Sequence, residues 1–193
     1  MVKSIGKKIN TAVFISGRGS NLKSLIKHSK FKNSPIKIGL VISSKKDAKG
    51  LKYAKKSKIN FFINNFKNKS VSEKHVLSQL SKEKIRIICL AGFMKILSKN
   101  FIKKFKKPIL NIHPSLLPKY KGLNTHARVI KNKEKFTGST VHLVTSELDS
   151  GKIILQKKLK ILKIDTVKTL EKKILKIEHK LYSKALEKFL ANL

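Results

Sequence analysis

A chain of 193 residues that is 40% hydrophobic can bury one core of ordinary size and leaves no length for two typical domains, so one domain is expected. Lys and Arg total 46 against 10 acidic residues, a formal net charge of +36, yet 43 of the bases are Lys and the three Arg stand far apart at Arg18, Arg86 and Arg128. Sequence-reading proteins favour Arg, whose planar fork grips guanine or phosphate at two points, so Lys strung along the whole chain argues for compositional bias over a specific nucleic-acid role.

A general attraction for small anions, weakened by salt, is what the surplus does imply. The one cysteine, Cys89, lies in the apolar run Ile87-Ile88-Cys89-Leu90 and reads as a buried thiol, which leaves no disulfide framework and no cysteine metal site. No apolar run approaches the ~20 residues of a membrane span, and Met1 to Lys8 lacks a signal-peptide core, so a cytoplasmic protein with no membrane partner is expected.

Strand-like and helix-like patterns alternate from the start. Thr11 to Ser16 reads as a buried strand, followed by a glycine turn and a helix from Asn21 to Ser29. Ile36 to Ile42 is a strand, Ala48 to Ser57 a helix and Ile59 to Ile63 a strand. Ser72 to Ser81 is a helix with Val76, Leu77 and Leu80 on one face, and Ile85 to Leu90 is apolar enough for a central strand of a parallel sheet. A short helix, Lys99 to Phe105, precedes the strand Pro108 to Ile112 and a loop punctuated by Pro114, Pro118 and Gly122. Two longer strands, Ser139 to Thr145 and Lys152 to Leu162, flank a loop holding Asp149. The helix Thr166 to Phe189 carries a core stripe of Val167, Leu170, Ile174, Ile177 and Leu181. This alternation predicts an α/β sheet with helices on both faces.

Two segments carry chemistry. The run Ser16-Gly17-Arg18-Gly19-Ser20-Asn21 joins the first strand to the first helix, where glycines permit close main-chain approach and the helix N-terminus favours an anion. It is either a tight turn or a phosphate loop, and phosphate on Gly19, Ser20 and Asn21 is the preferred reading. Leu22 stands where a dinucleotide fingerprint has its third glycine, and the second strand ends Ile42-Ser43-Ser44 without an acid for a ribose, so NAD is disfavoured.

In Leu110-Asn111-Ile112-His113-Pro114, the period of two points Asn111 and His113 to one face at the end of a strand. Open α/β sheets gather ligands there. Asp149, in Leu148-Asp149-Ser150-Gly151, is either a turn former or a carboxylate that orients His113 or relays a proton. None of the six His has a metal-ligand spacing.

The strings Ile15-Ser16-Gly17-Arg18-Gly19-Ser20-Asn21-Leu22, Ala91-Gly92-Phe93-Met94-Lys95-Ile96-Leu97, Asn111-Ile112-His113-Pro114-Ser115-Leu116-Leu117-Pro118 and Gly138-Ser139-Thr140-Val141-His142, with Glu147-Leu148-Asp149-Ser150-Gly151, together resemble the phosphoribosylglycinamide formyltransferase family. The resemblance runs from Thr11 to at least Tyr182. It implies a single-domain, Rossmann-like formyltransferase fold: a mostly parallel twisted sheet with antiparallel strands in the C-terminal half, and a phosphate-binding half (1–105) followed by a catalytic and folate-binding half (106–193).

It further implies formyl transfer from 10-formyltetrahydrofolate to the amine of phosphoribosylglycinamide in purine synthesis, without a metal, by a monomer or homodimer whose partners are small molecules. By the same resemblance Asn111, His113 and Asp149 are the catalytic trio. Gly19, Ser20 and Asn21 hold the ribotide phosphate, and Glu178 bonds the ribose hydroxyls. Lys69, Met94, Lys95, Ile96 and Leu97, with Thr145, Ser146, Glu147 and Leu148, face the folate. Lys69 departs from the Arg usual in the family at that place.

Formyl transfer needs donors to a developing oxyanion, each typically worth ~3–4 kcal/mol, which the resemblance assigns to protonated His113 and the Asn111 amide. Asp149 then stabilises the imidazolium and holds a water that relays a proton. Methionyl-tRNA formyltransferase is expected to be longer, with a tRNA-binding domain, and formyltetrahydrofolate deformylase to carry a regulatory domain ahead of the first strand. A non-enzymatic nucleic-acid module would rest on charge alone and leaves Asn111, His113 and Asp149 unexplained.

Overall fold

Apolar runs become inner strands in the computed structural model, which describes residues 8–192. Strand β1 (Ile9–Ile15) is followed by α1 (Ser20–Ser29), β2 (Ile36–Ser43), α2 (Leu51–Lys56), β3 (Asn60–Ile63), α3 (Lys69–Lys82), β4 (Ile87–Leu90), α4 (Lys99–Phe105) and β5 (Ile109–His113). After these come α5 (Thr125–Lys131), β6 (Phe136–Leu143), β7 (Ile153–Lys160) and α6 (Val167–Ala191). The strand order is β3-β2-β1-β4-β5-β6-β7, and the α/β class expected from the alternating patterns is the class observed. The chain divides into two compact units, Met1–Leu110 and Asn111–Leu193.

In the first unit β1 pairs in parallel with both β2 and β4, and β2 with β3. A strand flanked on both sides and covered on both faces must be apolar throughout, and Val13, Phe14 and Ile15 of β1 are fully buried, as are Ile87, Ile88 and Cys89 of β4. Helix α1 buries Leu22, Leu25 and Ile26 against this sheet. Phe14 meets Phe93 and Phe101 edge-on at 5.3 and 6.5 Å, so one buried ring ties β1 to the segment after β4 and to α4. Each such ring contributes about 1.5–3 kcal/mol by leaving water. On α3 the buried line is Ser72, Glu73, Val76 and Leu80, which leaves Leu77 half-buried beside it. Helix α2 is shorter than the pattern suggested, opening at Leu51 because the chain first turns through residues 45–50.

In the second unit β6 and β7 pair antiparallel, and α6 packs on both. Leu170 and Ile174 of α6 form a core with Val129 of α5, against which Tyr120 and Leu159 pack. Thr166 caps α6 in a reciprocal box: the Thr169 N–H donates to Thr166 Oγ1 at 3.2 Å, and the Thr166 N–H donates to Thr169 Oγ1 at 2.9 Å. Val167, expected on the core stripe, is 42% exposed because it lies in the first turn beside that cap. Helix α5 was not expected; it is seven residues long and buries only Thr125 and Val129, too little for a helical period to stand out.

Candidate active site

Asn111 and His113 leave β5 on the same face, as a period of two requires, and both converge on Asp149 from the connection after β6. His113 Nδ1 lies 3.3 Å from Asp149 Oδ2, and Asn111 Nδ2 lies 3.4 Å from Asp149 Oδ1. Asp149 adopts φ +48°, a left-handed conformation that Asp tolerates because its short side chain bonds locally. His113 and Asp149 are both buried. The loop after β5 is fixed by polar side chains: Ser139 Oγ donates to the His113 carbonyl at 2.9 Å, and Thr140 Oγ1 donates to the Ser115 carbonyl at 2.7 Å.

The acceptors around the two imidazoles assign their protons. The Tyr120 carbonyl can only accept, so His113 Nε2, 2.8 Å away, carries a hydrogen and donates it. The Leu143 carbonyl, 2.8 Å from His142 Nδ1, fixes the opposite tautomer there, which leaves His142 Nε2 to accept from Asn111 Nδ2 at 3.2 Å. His142 Nε2 also stands 3.6 Å from Asp149 Oδ1, and the Gly122 N–H donates to Asp149 Oδ2 at 2.9 Å.

Burial pushes the His113 imidazole below its usual value, with the Tyr120 carbonyl and Asp149 pulling the other way. Burial also works against the Asp149 carboxylate, but the Gly122 N–H and the His113 ring hold it below the usual range. The buried cluster is therefore one carboxylate facing two imidazoles and an amide. Tyr120 holds the Nε2 proton, and the Nδ1 edge of His113 faces Asp149. His142 escaped the sequence reading, although a histidine at a buried position of a strand, two residues from Thr140, was a visible signal.

The remaining expected residues fall in loops and at helix ends. Gly19 opens α1 at φ +71° with no side-chain cap, so the first N–H groups of that helix are offered by the main chain alone. A Cβ added to Gly19 would come within 2.5 Å of Gly50 Cα, and the Gly50 N–H donates to the Gly17 carbonyl at 2.9 Å. Ser20 is partly exposed and Asn21 buried.

Met94, Lys95 and Ile96 project from the loop between β4 and α4, with Met94 and Ile96 each 64% exposed, while Leu97 turns into the core. That loop is pinned at both ends. The Met94 N–H donates to Ser16 Oγ at 2.8 Å, and the Ser98 N–H donates to the buried Glu73 carboxylate at 2.7 Å. Lys69 is the exposed first residue of α3. Thr145, Ser146, Glu147 and Leu148 are exposed between β6 and β7, and Glu178 is buried on α6. Among the described residues no group of three or more His, Cys, Asp or Glu could hold a metal ion, and no helix is long and apolar enough to cross a membrane.

An open α/β sheet bearing an asparagine and a histidine at one strand end beside a carboxylate is the arrangement of a group-transfer enzyme, and a family model described as formyl transferase matches residues 9–186. The chain belongs to the formyl transferase family. Within it, the chain is 42% identical over 179 residues to a phosphoribosylglycinamide formyltransferase of Haemophilus influenzae, covering 91% of this chain and 84% of that one. The solved phosphoribosylglycinamide formyltransferase of Brucella melitensis superposes with a TM-score of 0.91 at 42% identity, over 97% of this chain and 98% of that one. The trifunctional purine biosynthetic protein adenosine-3 of Homo sapiens is 41% identical over 94% of this chain, and the chain spans 18% of that relative's length. The family resemblance read from the motifs is thereby borne out.

Proposed function

We propose that the chain transfers the formyl group of 10-formyltetrahydrofolate to the amine of 5'-phosphoribosylglycinamide, giving formyl-phosphoribosylglycinamide and tetrahydrofolate in purine synthesis in the cytoplasm. The observation that carries this reading is the buried convergence of Asn111, His113 and His142 on Asp149 in a chain of this family.

The neutral amine attacks the formyl carbon, and negative charge grows on the formyl oxygen. His113 donates to that oxygen when protonated at Nδ1, a form that Asp149 favours against the burial that opposes it, and the Asn111 amide is the second donor. Asp149 balances the imidazolium and, through a water, takes the proton leaving the amine and returns one to the departing folate nitrogen. The structure adds one requirement to the sequence-based scheme. Asn111 spends its Nδ2 hydrogens on His142 and Asp149, so one must be released to the substrate as charge develops.

Gly19, Ser20 and Asn21 are assigned the ribotide phosphate and Glu178 its ribose. Met94, Lys95, Ile96 and Leu97, with Thr145 to Leu148 and Lys69, are assigned the folate. Met94 and Ile96, both apolar and exposed on one loop, suit a flat heteroaromatic ring. The test is consumption of formyl-folate that requires the ribotide amine. Consumption with water alone would mean a deformylase, and consumption with charged initiator tRNA would mean the tRNA-directed enzyme.

A further inference from the structure

The loop between β5 and α5 places three left-handed backbone conformations within five residues, at Tyr120 (φ 59°), Gly122 (φ 78°) and Asn124 (φ 57°). Two of the three are not glycine, and each costs about 1–2 kcal/mol, so the segment needs outside support. Its main chain meets the acid and histidine of the site twice: the Tyr120 carbonyl accepts from His113 Nε2, and the Gly122 N–H donates to Asp149 Oδ2.

The support comes from side chains on the far side of the loop. Arg128, exposed on α5, donates through Nη1 to the Lys121 carbonyl at 2.6 Å and to the Leu123 carbonyl at 3.4 Å, and its guanidinium lies 5.3 Å from the centre of the Tyr120 ring. It therefore grips the two carbonyls on either side of Gly122 and the ring of Tyr120 at once. Tyr120 Oη donates to Glu134 Oε1 at 2.9 Å and accepts from Asn132 Nδ2 at 3.0 Å, and Lys119 Nζ reaches the same carboxylate at 3.1 Å.

We propose that Arg128 is a positioning residue: its guanidinium clamps the Tyr120 to Asn124 main chain so that the Tyr120 carbonyl keeps the His113 proton on Nε2 and the Gly122 N–H orients the Asp149 carboxylate beside Nδ1. The proposal rests on the assignment of His113 and Asp149 to formyl transfer. A guanidinium suits the clamp, because its flat and weakly hydrated group lies over a ring while one nitrogen serves two carbonyls, where a strongly hydrated ammonium does less well. The composition points the same way. In a chain with 43 Lys and three Arg, an Arg stands where one side chain meets two carbonyls and a ring.

The test compares Arg128→Met and Arg128→Lys with wild type in steady-state kinetics and in nitrogen-15 spectra of the histidine rings, which report the His113 tautomer without any need for turnover. Arg128→Met should lower turnover about tenfold while the Michaelis constants of both substrates stay within about threefold, since the loss is of geometry at the reacting groups. His113 should change from one Nε2–H tautomer to a mixture. Arg128→Lys restores charge without planarity and should recover only a small part of the loss.

Turnover of Arg128→Met within twofold of wild type, an unchanged His113 tautomer, or full activity in Arg128→Lys would each overturn the clamp. Should Arg128→Met fail to fold, Glu134→Ala removes the acceptor of the Tyr120 hydroxyl and must move the tautomer and turnover in the same direction, or the proposal falls. A wild-type chain inactive toward the ribotide would sink the functional reading and leave the tautomer measurement to decide the clamp.

Discussion

The glycine turn after β1 and the histidine cluster after β5 manage charge by opposite means. Between β1 and α1 nothing that titrates is assigned a role: the residues proposed for an anion are Gly19, Ser20 and Asn21, at the start of a helix. Around Asp149 the main chain orients, and a buried carboxylate carries the charge beside two imidazoles whose tautomers are set by the carbonyls of Tyr120 and Leu143. A turn of the first kind can hold an anion over a wide range of pH without changing itself. On the proposed function a cluster of the second kind changes state during the reaction, and its competence depends on where each proton sits.

That contrast is broken most directly at the cluster. His113→Ala and Asp149→Asn should each lower single-turnover rates by about 10²–10⁴, the usual contribution of a positioned acid or base, with ribotide binding nearly intact. A rate within threefold of wild type for either variant removes that residue from the mechanism.

At the glycine turn the expected losses are in binding and stability. Gly19→Ala forces a side chain into a left-handed conformation at about 1–2 kcal/mol and drives its Cβ against Gly50, so it should lower the melting temperature as well as weaken the ribotide. Ser20→Ala and Asn21→Ala should weaken the phosphorylated substrate by roughly 1 kcal/mol, more than they weaken the folate. Calorimetry with the larger loss on the folate side would exchange the two assignments.

Acid should expose the cluster and spare the turn. His113 is held below its usual value chiefly by burial, and Asp149 below its own by the groups bonded to it against its burial. For both, the unfolded chain binds protons before the folded one as pH falls, so both make stability decline in acid. The decline should begin as pH drops below about 6.5, where an unfolded imidazole charges, and continue through about 4 as the carboxylate titrates. Melting temperatures of His113→Ala should lose the upper part of this dependence and those of Asp149→Asn the lower; parallel curves for all three proteins would contradict the assignment.

The smallest expected effect is the salt dependence of substrate capture. The Debye length shrinks from ~30 Å at 0.01 M to ~10 Å at 0.1 M, which removes steering by 43 Lys but leaves close contacts. The Michaelis constants should rise severalfold with turnover nearly flat. A steep fall in turnover at constant Michaelis constants would place the charge in the chemical step or in folding instead.

The sequence revealed whatever depends on side-chain type in a regular element. Inner strands such as β4 are unbroken apolar runs, α4 begins and ends where Lys99 and Phe105 suggested, and the shared face of Asn111 and His113 follows from the period of a strand. Asp149 could not be set beside His113, because that contact depends on how β6 and β7 fold back, which no local pattern encodes. His142 stood in view in a strand-like run, but its face became meaningful only once Asp149 lay beside it. The Tyr120 carbonyl and the Gly122 N–H were invisible in principle, since every residue type supplies a carbonyl and nearly every one an N–H.

The contact between Gly19 and Gly50 sets a boundary on how this chain can drift. A surface with few partners can exchange residue for residue, and a genome that favours lysine can rewrite it one position at a time. Here each glycine occupies the space that the other's Cβ would need, so enlarging either strains the pair and enlarging both strains it further. No second change repairs the first, and mutational paths that alter the turn by single steps lead through weakened proteins. Two residues distant in sequence are thus locked to one identity jointly.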